Sequence, residues 1–194
     1  MNQTDFKGEL HEYLRDARET LAWKLEGLGE YDVRRPMTPT GTNLLGLLKH
    51  SATTHVRYFG EVFGRAGAPT LPWLRAGREP NADFWATADE TRDDIITACQ
   101  VAWVFADTTI TELELDAVGH VPWWGEQDVT LHHVLVHVTA DTQRHAGHSD
   151  IVRELIDGSA GLLPHHDNLP TRDADWWAAH RQRVEAAALD ASRP

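Results

Sequence analysis

The chain has 194 residues, which fits one domain with a sizeable core, and its 41% hydrophobic and 25% charged residues are ordinary for a globular protein. Because 30 acidic residues outnumber 18 lysines and arginines, the formal charge is −12, and neither a nucleic-acid backbone nor an anionic membrane is an expected partner. Cys99 is the single cysteine, which excludes an internal disulfide and a cysteine-rich metal site.

The first half of the chain predicts two helices joined by a linker. Apolar residues recur at helical spacing over residues 5–28, and prolines and a glycine then mark residues 29–41 as the linker. A second helix is expected over residues 43–63. The irregular stretch that follows, residues 64–83, is long for a compact domain, so it is either functional or a loosely ordered surface excursion.

The second half predicts two further helices. A third helix begins near residue 87, with acidic residues in its first turn as the helix dipole prefers. Residues 117–130 then break the pattern with glycine and proline, and the Trp123–Trp124 pair in this break either covers a site or packs against the bundle. A fourth helix spans residues 131–158. No stretch shows the two-residue alternation of a half-buried strand.

Four long helices with one longer crossover predict an all-α four-helix bundle. We expect a single domain over residues 1–194, with the core bundle at about 5–158 and an extension at 159–194 that holds a short alanine-rich helix from residue 173. No run of about eighteen apolar residues is present, and the amino terminus lacks the pattern of a signal peptide. A cytoplasmic location is therefore expected.

The fourth predicted helix carries a stripe of ionisable residues on one side. At about 100° per residue, five side chains fall within a single arc: His133, His137, Asp141, His145 and His148. Such a stripe is costly to bury unpaired, so it faces either solvent or a polar site inside the bundle.

Two residues of the stripe have the spacing of a metal-binding pair. Asp141 and His145 stand four apart, one turn above each other, so both can reach one divalent ion. The best third ligand is His50, on the second predicted helix. Two histidines and one carboxylate leave coordination positions open, which is typical of catalytic rather than structural zinc. A polar ligand-binding face without metal is the alternative.

Three stretches, GTNLLGLLKH, NADFWATADETRDDI and HVTADTQRHAGHSDIVRELIDG, together resemble the DinB-like superfamily, and most closely its branch of mycothiol-dependent transferases. The resemblance covers residues 21–158. It implies a helical bundle that holds a divalent metal, commonly zinc with nickel or iron as alternatives, through His50, Asp141 and His145. Further positions that match the family are His137, Arg144 and His148, of which the two histidines are expected to orient ligands or substrate.

The chain departs from this branch at three positions. The branch usually has glutamate where this chain has Asp141 and His55, and an aromatic residue near His133. Aspartate is shorter than glutamate by one methylene, so either the carboxylate approaches a metal ion differently or His137 or His148 takes its place as a ligand.

The resemblance implies a thiol-transfer reaction. A low-molecular-weight thiol such as mycothiol would bind an open metal position, become a thiolate and attack an electrophilic carbon. His148 or His55 would serve as general acid or base, since imidazole titrates near working pH. Candidate cations for binding the thiol cosubstrate are Arg57, Arg144, Arg75 and Arg78.

Other functions fit the same residues. The three ligands would also serve a metal-activated-water hydrolase or a thiol-dependent isomerase, and a ligand-binding bundle without catalysis is the non-enzymatic alternative. The expected partners are a small thiol and an electrophilic small molecule. Dimers are common among the relatives, and the aromatic-rich tail from residue 173 is a candidate for packing against a second copy.

Overall fold

A computed structural model of the chain describes residues 5–74, 79–125, 127–164 and 166–193. It confirms the all-α prediction, because four long helices form the body of the molecule. They are α1 (Phe6–Trp23), α3 (Leu44–Val56), α4 (Arg92–Glu112) and α5 (Leu131–Asp157). Within the bundle, α1 packs mainly along α5, and α3 mainly along α4.

Side chains at the helix starts set most of the boundaries. Asp5, Asn43, Thr91 and Thr130 precede the four long helices, and each accepts a hydrogen bond from a backbone N–H of the first turn. The predicted start of the third helix was five residues too early, because Thr91 is the cap that begins α4. At the other end of α5, Gly158 adopts a left-handed conformation with φ 79°, which glycine tolerates better than other residues.

The segment between α1 and α3 is more ordered than predicted. Residues 29–41 were expected to be a linker, but they contain a short helix, α2 (Glu30–Arg34). Arg34 holds this helix in place: it donates to the carbonyl oxygens of Thr87 at 2.9 Å and Glu90 at 2.8 Å, so α2 is tied to the segment that precedes α4.

A two-stranded ribbon lies between α4 and α5, where no strand was predicted. Strands β1 (Val118–His120) and β2 (Asp128–Thr130) pair antiparallel. Each has three residues, too few for an alternation of apolar and polar residues to stand out in the sequence. The ribbon closes the loop that carries Trp123.

The central helix of the bundle is α3. Twelve of its thirteen residues are buried, and His50 is the exception, with 15% of its side chain exposed. A π-helical turn, Arg57–Glu61, continues this helix. Cys99 of α4 is also buried, and burial raises the pKa of its thiol to about 12, as expected for a filler of the core rather than a nucleophile.

The carboxyl-terminal helix, α6 (Ala174–Ala191), has no buried residue, so it adds little to the core. Ahead of it, Trp23 of α1 donates a hydrogen bond to the carbonyl oxygen of Leu162 at 2.5 Å and fixes the chain as it leaves α5. None of the helices in the described residues is both long enough and apolar enough to cross a membrane.

Candidate metal centre

Three predicted ligands meet between α3 and α5. His50, Asp141 and His145 each offer one ligand atom, and these atoms all lie within 4.8 Å of one another. The Nε2 atom of His50 is 3.9 Å from Oδ2 of Asp141, and the Nε2 atom of His145 is 3.5 Å from Oδ1 of the same carboxylate. The carboxylate therefore stands between two imidazoles, an arrangement in which one cation can contact all three groups.

A fourth residue, Asp83, orients the first ligand. Its Oδ2 accepts a hydrogen bond from Nδ1 of His50 at 2.7 Å. Because an ionised carboxylate can only accept, the proton lies on Nδ1, and the lone pair of Nε2 is free to face Asp141. The ring of Phe84 stacks on His50 with centroids 3.9 Å apart. The imidazole is therefore held on one face by the stacked ring and at its edge by the hydrogen bond to Asp83.

Buried polar groups of α3 and its cap fix residues 82–85, called the Asp83 segment below. Lys49 donates to the carbonyl oxygens of Ala82 at 2.7 Å and Trp85 at 2.8 Å, and it forms an ion pair with Glu90. The amide of Asn43 donates to the carbonyl oxygen of Phe84 at 3.2 Å. The irregular stretch of residues 64–83 was expected to be either functional or a surface excursion. It ends at Asp83, whose side chain lies at the site.

Both carboxyl groups of the centre have a lowered pKa. Burial alone would raise the pKa of Asp141, but the hydrogen bond from His145 and the charges of the neighbouring histidines outweigh burial. Burial is also the largest single influence on the pKa of Asp83 and would raise it, but the hydrogen bond from His50 and the charges of His50 and Lys49 together outweigh burial, so this pKa is lowered as well. Both groups are therefore carboxylates at neutral pH.

His145 is held less tightly than His50. Its Nδ1 atom is buried and has no hydrogen-bond partner among the described residues. The ring stands edge-on to that of His50, with centroids 4.9 Å apart. This ring can therefore adjust to an ion, whereas the ring of His50 is already fixed.

A cavity of about 250 Å³ opens beside the three ligands. Its walls come from α3, the π-helical turn, the Asp83 segment, the ribbon loop and α5. The lining residues are His50, Thr53, Thr54, Arg57, Tyr58, Asp83, Trp123, His137 and Asp141.

An aromatic wall closes one side of this cavity. Trp123 donates through Nε1 to the hydroxyl of Tyr58 at 3.2 Å, and Trp124 stands edge-on to His137 with centroids 4.6 Å apart. The tryptophan pair was predicted either to cover a site or to pack against the bundle. Trp123 lines the cavity, and both tryptophans also pack against a buried cluster of the bundle. Burial lowers the pKa of His137, although the charge of Asp141 opposes this shift.

Most of the chain matches one protein-family model. Residues 9–158 match the family model described as mycothiol-S-transferase, a DinB-like family. The chain belongs to the mycothiol-S-transferase family.

Among solved structures, this member of the mycothiol-S-transferase family is similar to one titled as the conserved protein of a locus from Enterococcus faecalis. The two chains share 15% identity and superpose with a TM-score of 0.56, over 81% of this chain and all of the other. At this identity the likeness concerns the fold alone. A comparison with curated protein sequences finds no match.

His55, a predicted general acid or base, does not reach the cavity of this family member. Its side chain is completely buried. Its Nδ1 lies 2.5 Å from the carbonyl oxygen of Ser51, to which it donates, and its Nε2 accepts from Nε of Arg18 at 2.9 Å. Burial and the charge of Arg18 hold the pKa of His55 well below the usual value. With both nitrogens engaged, this imidazole has no free position for a ligand.

The remaining predicted residues lie around the centre rather than in it. His148 is exposed, and its ring stands 5.6 Å from that of His145. Arg144 is exposed on α5 and does not line the cavity, whereas Arg57 does. Arg75 and Arg78 fall outside the described residues.

Asp83 is the candidate site residue that the sequence patterns did not indicate. It lies in NADFW, a stretch that contributed to the family resemblance without being given a role. The available signal was a carboxylate beside an aromatic residue in a long irregular segment. Neither the spacing nor the periodicity of the sequence links position 83 to position 50.

Proposed function

We propose that this protein is a metal-dependent S-transferase that joins mycothiol, or a similar low-molecular-weight thiol, to an electrophilic small molecule. The observation that carries the proposal is the convergence of His50, Asp141 and His145 at the edge of a cavity. Membership of the mycothiol-S-transferase family supports the same chemistry.

The three side chains fit a divalent metal ion. Two imidazoles and a carboxylate are a donor set that zinc accepts, and three protein ligands leave a coordination position for a substrate. Zinc is our first choice, with nickel or iron as alternatives, since imidazole also suits these metals. The hydrogen bond from His50 to Asp83 is of the kind that orients histidine ligands and raises their basicity.

The reaction we propose uses the chain's own residues for positioning and for proton transfer. When bound, the metal lowers the pKa of a coordinated thiol so that it is a thiolate near neutral pH. His137 accepts the thiol proton, because its lowered pKa leaves it a neutral imidazole at pH 7 and it lines the cavity. We choose His137 over the predicted His148 and His55 for this reason. The sulfur then bonds to the electrophilic carbon, and the leaving group departs with its electron pair.

Elemental analysis of the purified protein tests the centre. We expect about one equivalent of a transition metal in the parent and little in a His50→Ala, His145→Ala double variant. A His132→Ala, His180→Ala double variant, which also loses two histidines but no predicted ligand, should match the parent. A parent that takes up no metal on reconstitution would remove the basis of the proposal.

An assay with mycothiol and a neutral electrophile tests the reaction. We expect a thioether product whose formation requires both thiol and metal. A product that forms without thiol would point to the hydrolase instead. An isomerised electrophile, with the free thiol recovered unchanged, would point to the isomerase. Turnover that is equal in the His50→Ala, His145→Ala variant would contradict the proposal.

Two further expectations accompany this function. A cytoplasmic location stays a prediction. The homodimer also stays a prediction, and light scattering during size-exclusion chromatography would measure it. The tail with α6 is the first segment to delete in that experiment, because none of its residues is buried.

A further inference from the structure

Arg57 is the one lysine or arginine, among the described residues, that lines the cavity beside the metal centre. Its guanidinium stacks on the ring of Trp123, with 3.9 Å between the guanidinium carbon and the ring centroid. Trp123 is in turn held by its hydrogen bond to Tyr58. The charge of Arg57 is therefore positioned by an aromatic platform before any ligand arrives, which lowers the entropy lost on binding.

The hydrogen-bonding capacity of this guanidinium is largely unused within the protein. Among the described residues its closest carboxylate is Glu61, 3.6 Å from Nε, and both side chains are substantially exposed, 38% for Arg57 and 50% for Glu61. A loose, exposed pair of this kind is weak. Within the described residues no hydrogen bond from the terminal nitrogens of Arg57 is found, so they are available to a ligand.

The charge of Arg57 favours an anion at this point. Its guanidinium lines the cavity and faces Glu61 only loosely, with 3.6 Å between Nε and the carboxylate, in a protein whose net charge is −12. A planar guanidinium matches a carboxylate with two parallel hydrogen bonds.

The size of the cavity limits the molecule that can carry this carboxylate. Its volume of about 250 Å³ is below the roughly 300 Å³ at which pockets for drug-sized ligands begin. Arg57 stands seven residues after His50, which corresponds to about 10 Å along the helix axis. A small molecule can therefore place an anionic group at Arg57 and its reactive carbon near the metal ligands.

We propose that Arg57 binds a carboxylate of the acceptor, and that the acceptors of this enzyme are small electrophilic carboxylic acids. This inference rests on the proposed S-transfer. Arg57 was predicted to bind the thiol cosubstrate, whereas here it binds the electrophilic acceptor. Mycothiol carries its cysteine carboxyl in an amide bond and offers no carboxylate, so the acceptor is the source we favour.

A matched pair of electrophiles tests the inference. In p-(bromomethyl)benzoate and its benzamide, a thiolate forms the same sulfur–carbon bond, bromide leaves with its electron pair, and the thiol proton passes to the base. The two compounds differ in the charge opposite the reactive carbon. After subtraction of the uncatalysed rate, we expect kcat/KM for the acid to exceed that for the amide by about ten- to a hundredfold, mainly through KM.

Variants assign the preference to the guanidinium. Arg57→Gln should abolish the preference, so that kcat/KM for the acid falls to the value for the amide. Arg57→Lys should keep a small part of it, because lysine keeps the charge but loses the planar pair of donors. Arg15→Gln, which removes an exposed arginine of α1 outside this cavity, should keep the full preference. Glu61→Gln should increase it, since this change removes the competing carboxylate.

Binding of an unreactive analogue gives a readout without turnover. By calorimetry, metal-free protein should bind p-methylbenzoate more tightly than p-methylbenzamide, and Arg57→Gln should lose this difference. The metal-free protein excludes ligation of the carboxylate by the metal itself. An equal response to acid and amide in the parent, or a preference that survives in Arg57→Gln, would overturn the inference. Failure of the amide to react in metal-loaded parent would count against the proposed S-transfer instead.

Discussion

Asp83 is the residue that gives His50 its orientation. The hydrogen bond of 2.7 Å between them keeps Nε2 of His50 directed at Asp141 and makes the imidazole a stronger donor to a metal ion. We therefore expect Asp83→Asn to lower the affinity for zinc by about ten- to a hundredfold, because the amide cannot supply the negative charge.

Competition with a chromophoric chelator at equilibrium measures this change. Asp93→Asn is the matched control, since Asp93 is exposed on α4 and its substitution removes the same charge elsewhere. Equal zinc affinity in the parent and in Asp83→Asn would show that the position of Asp83 has no bearing on the metal.

Contact between α3 and the Asp83 segment depends on a glycine. A Cβ atom added at Gly46 would lie 1.8 Å from the carbonyl oxygen of Phe84, a backbone atom that cannot turn aside. Gly46→Ala should therefore push the segment away from the helix, reduce the free energy of unfolding by about 1–3 kcal/mol and weaken zinc binding as well.

Gly147 provides the opposite case on another helix. It lies within α5, and an added Cβ would meet nothing within 4 Å. Gly147→Ala should raise the free energy of unfolding by about 0.5–1 kcal/mol, because alanine is the better helix former. Urea unfolding of both variants measures the two changes. If Gly46→Ala were as stable as the parent, the close approach of α3 and the Asp83 segment would be wrong.

The stability of the whole molecule should depend on pH through His55. Burial keeps the pKa of this histidine well below 6.5, whereas the unfolded chain restores the usual value of about 6.5. Between those two values the unfolded state binds the additional proton, so stability is full above about pH 6.5 and falls as the pH drops below it. Thermal unfolding of metal-free protein between pH 7.5 and 5.5 should show this decline.

A substitution separates His55 from the other histidines. His55→Gln can still accept the hydrogen bond from Arg18 but cannot take up a proton, so its stability should vary less over the same pH range. His132→Gln, at an exposed position of α5, should keep the slope of the parent. A slope that is unchanged in His55→Gln would rule out His55 as its source.

The site residues that could be predicted from the sequence lie on the long helices. Asp141 and His145 are one turn apart, so their proximity follows from the helix alone. His50, the third candidate ligand, was predicted because it is a histidine on another predicted helix of the bundle and because the family resemblance includes this position. The helical segments themselves followed from apolar spacing and capping residues such as Thr130.

The residues that were missed or misplaced depend on contacts distant in sequence. His55 has the spacing of a site residue, but Arg18 of α1 engages it from the other side. Asp83 reaches His50 because Lys49 and Asn43 bind the backbone around it, which no local pattern records. The ribbon forms because β1 and β2, of three residues each, pair with one another, and neither strand has a recognisable pattern in the sequence.

The uneven spacing of the three ligands along the chain implies an order in which the centre forms during folding. Asp141 and His145 come together as soon as a few turns of α5 exist, on the microsecond scale of helix formation. His50 is about ninety residues earlier, and closing so long a loop costs far more chain entropy. An ion captured first by α5 would then hold one end of that loop in place, so the third ligand closes the bundle as it completes the coordination.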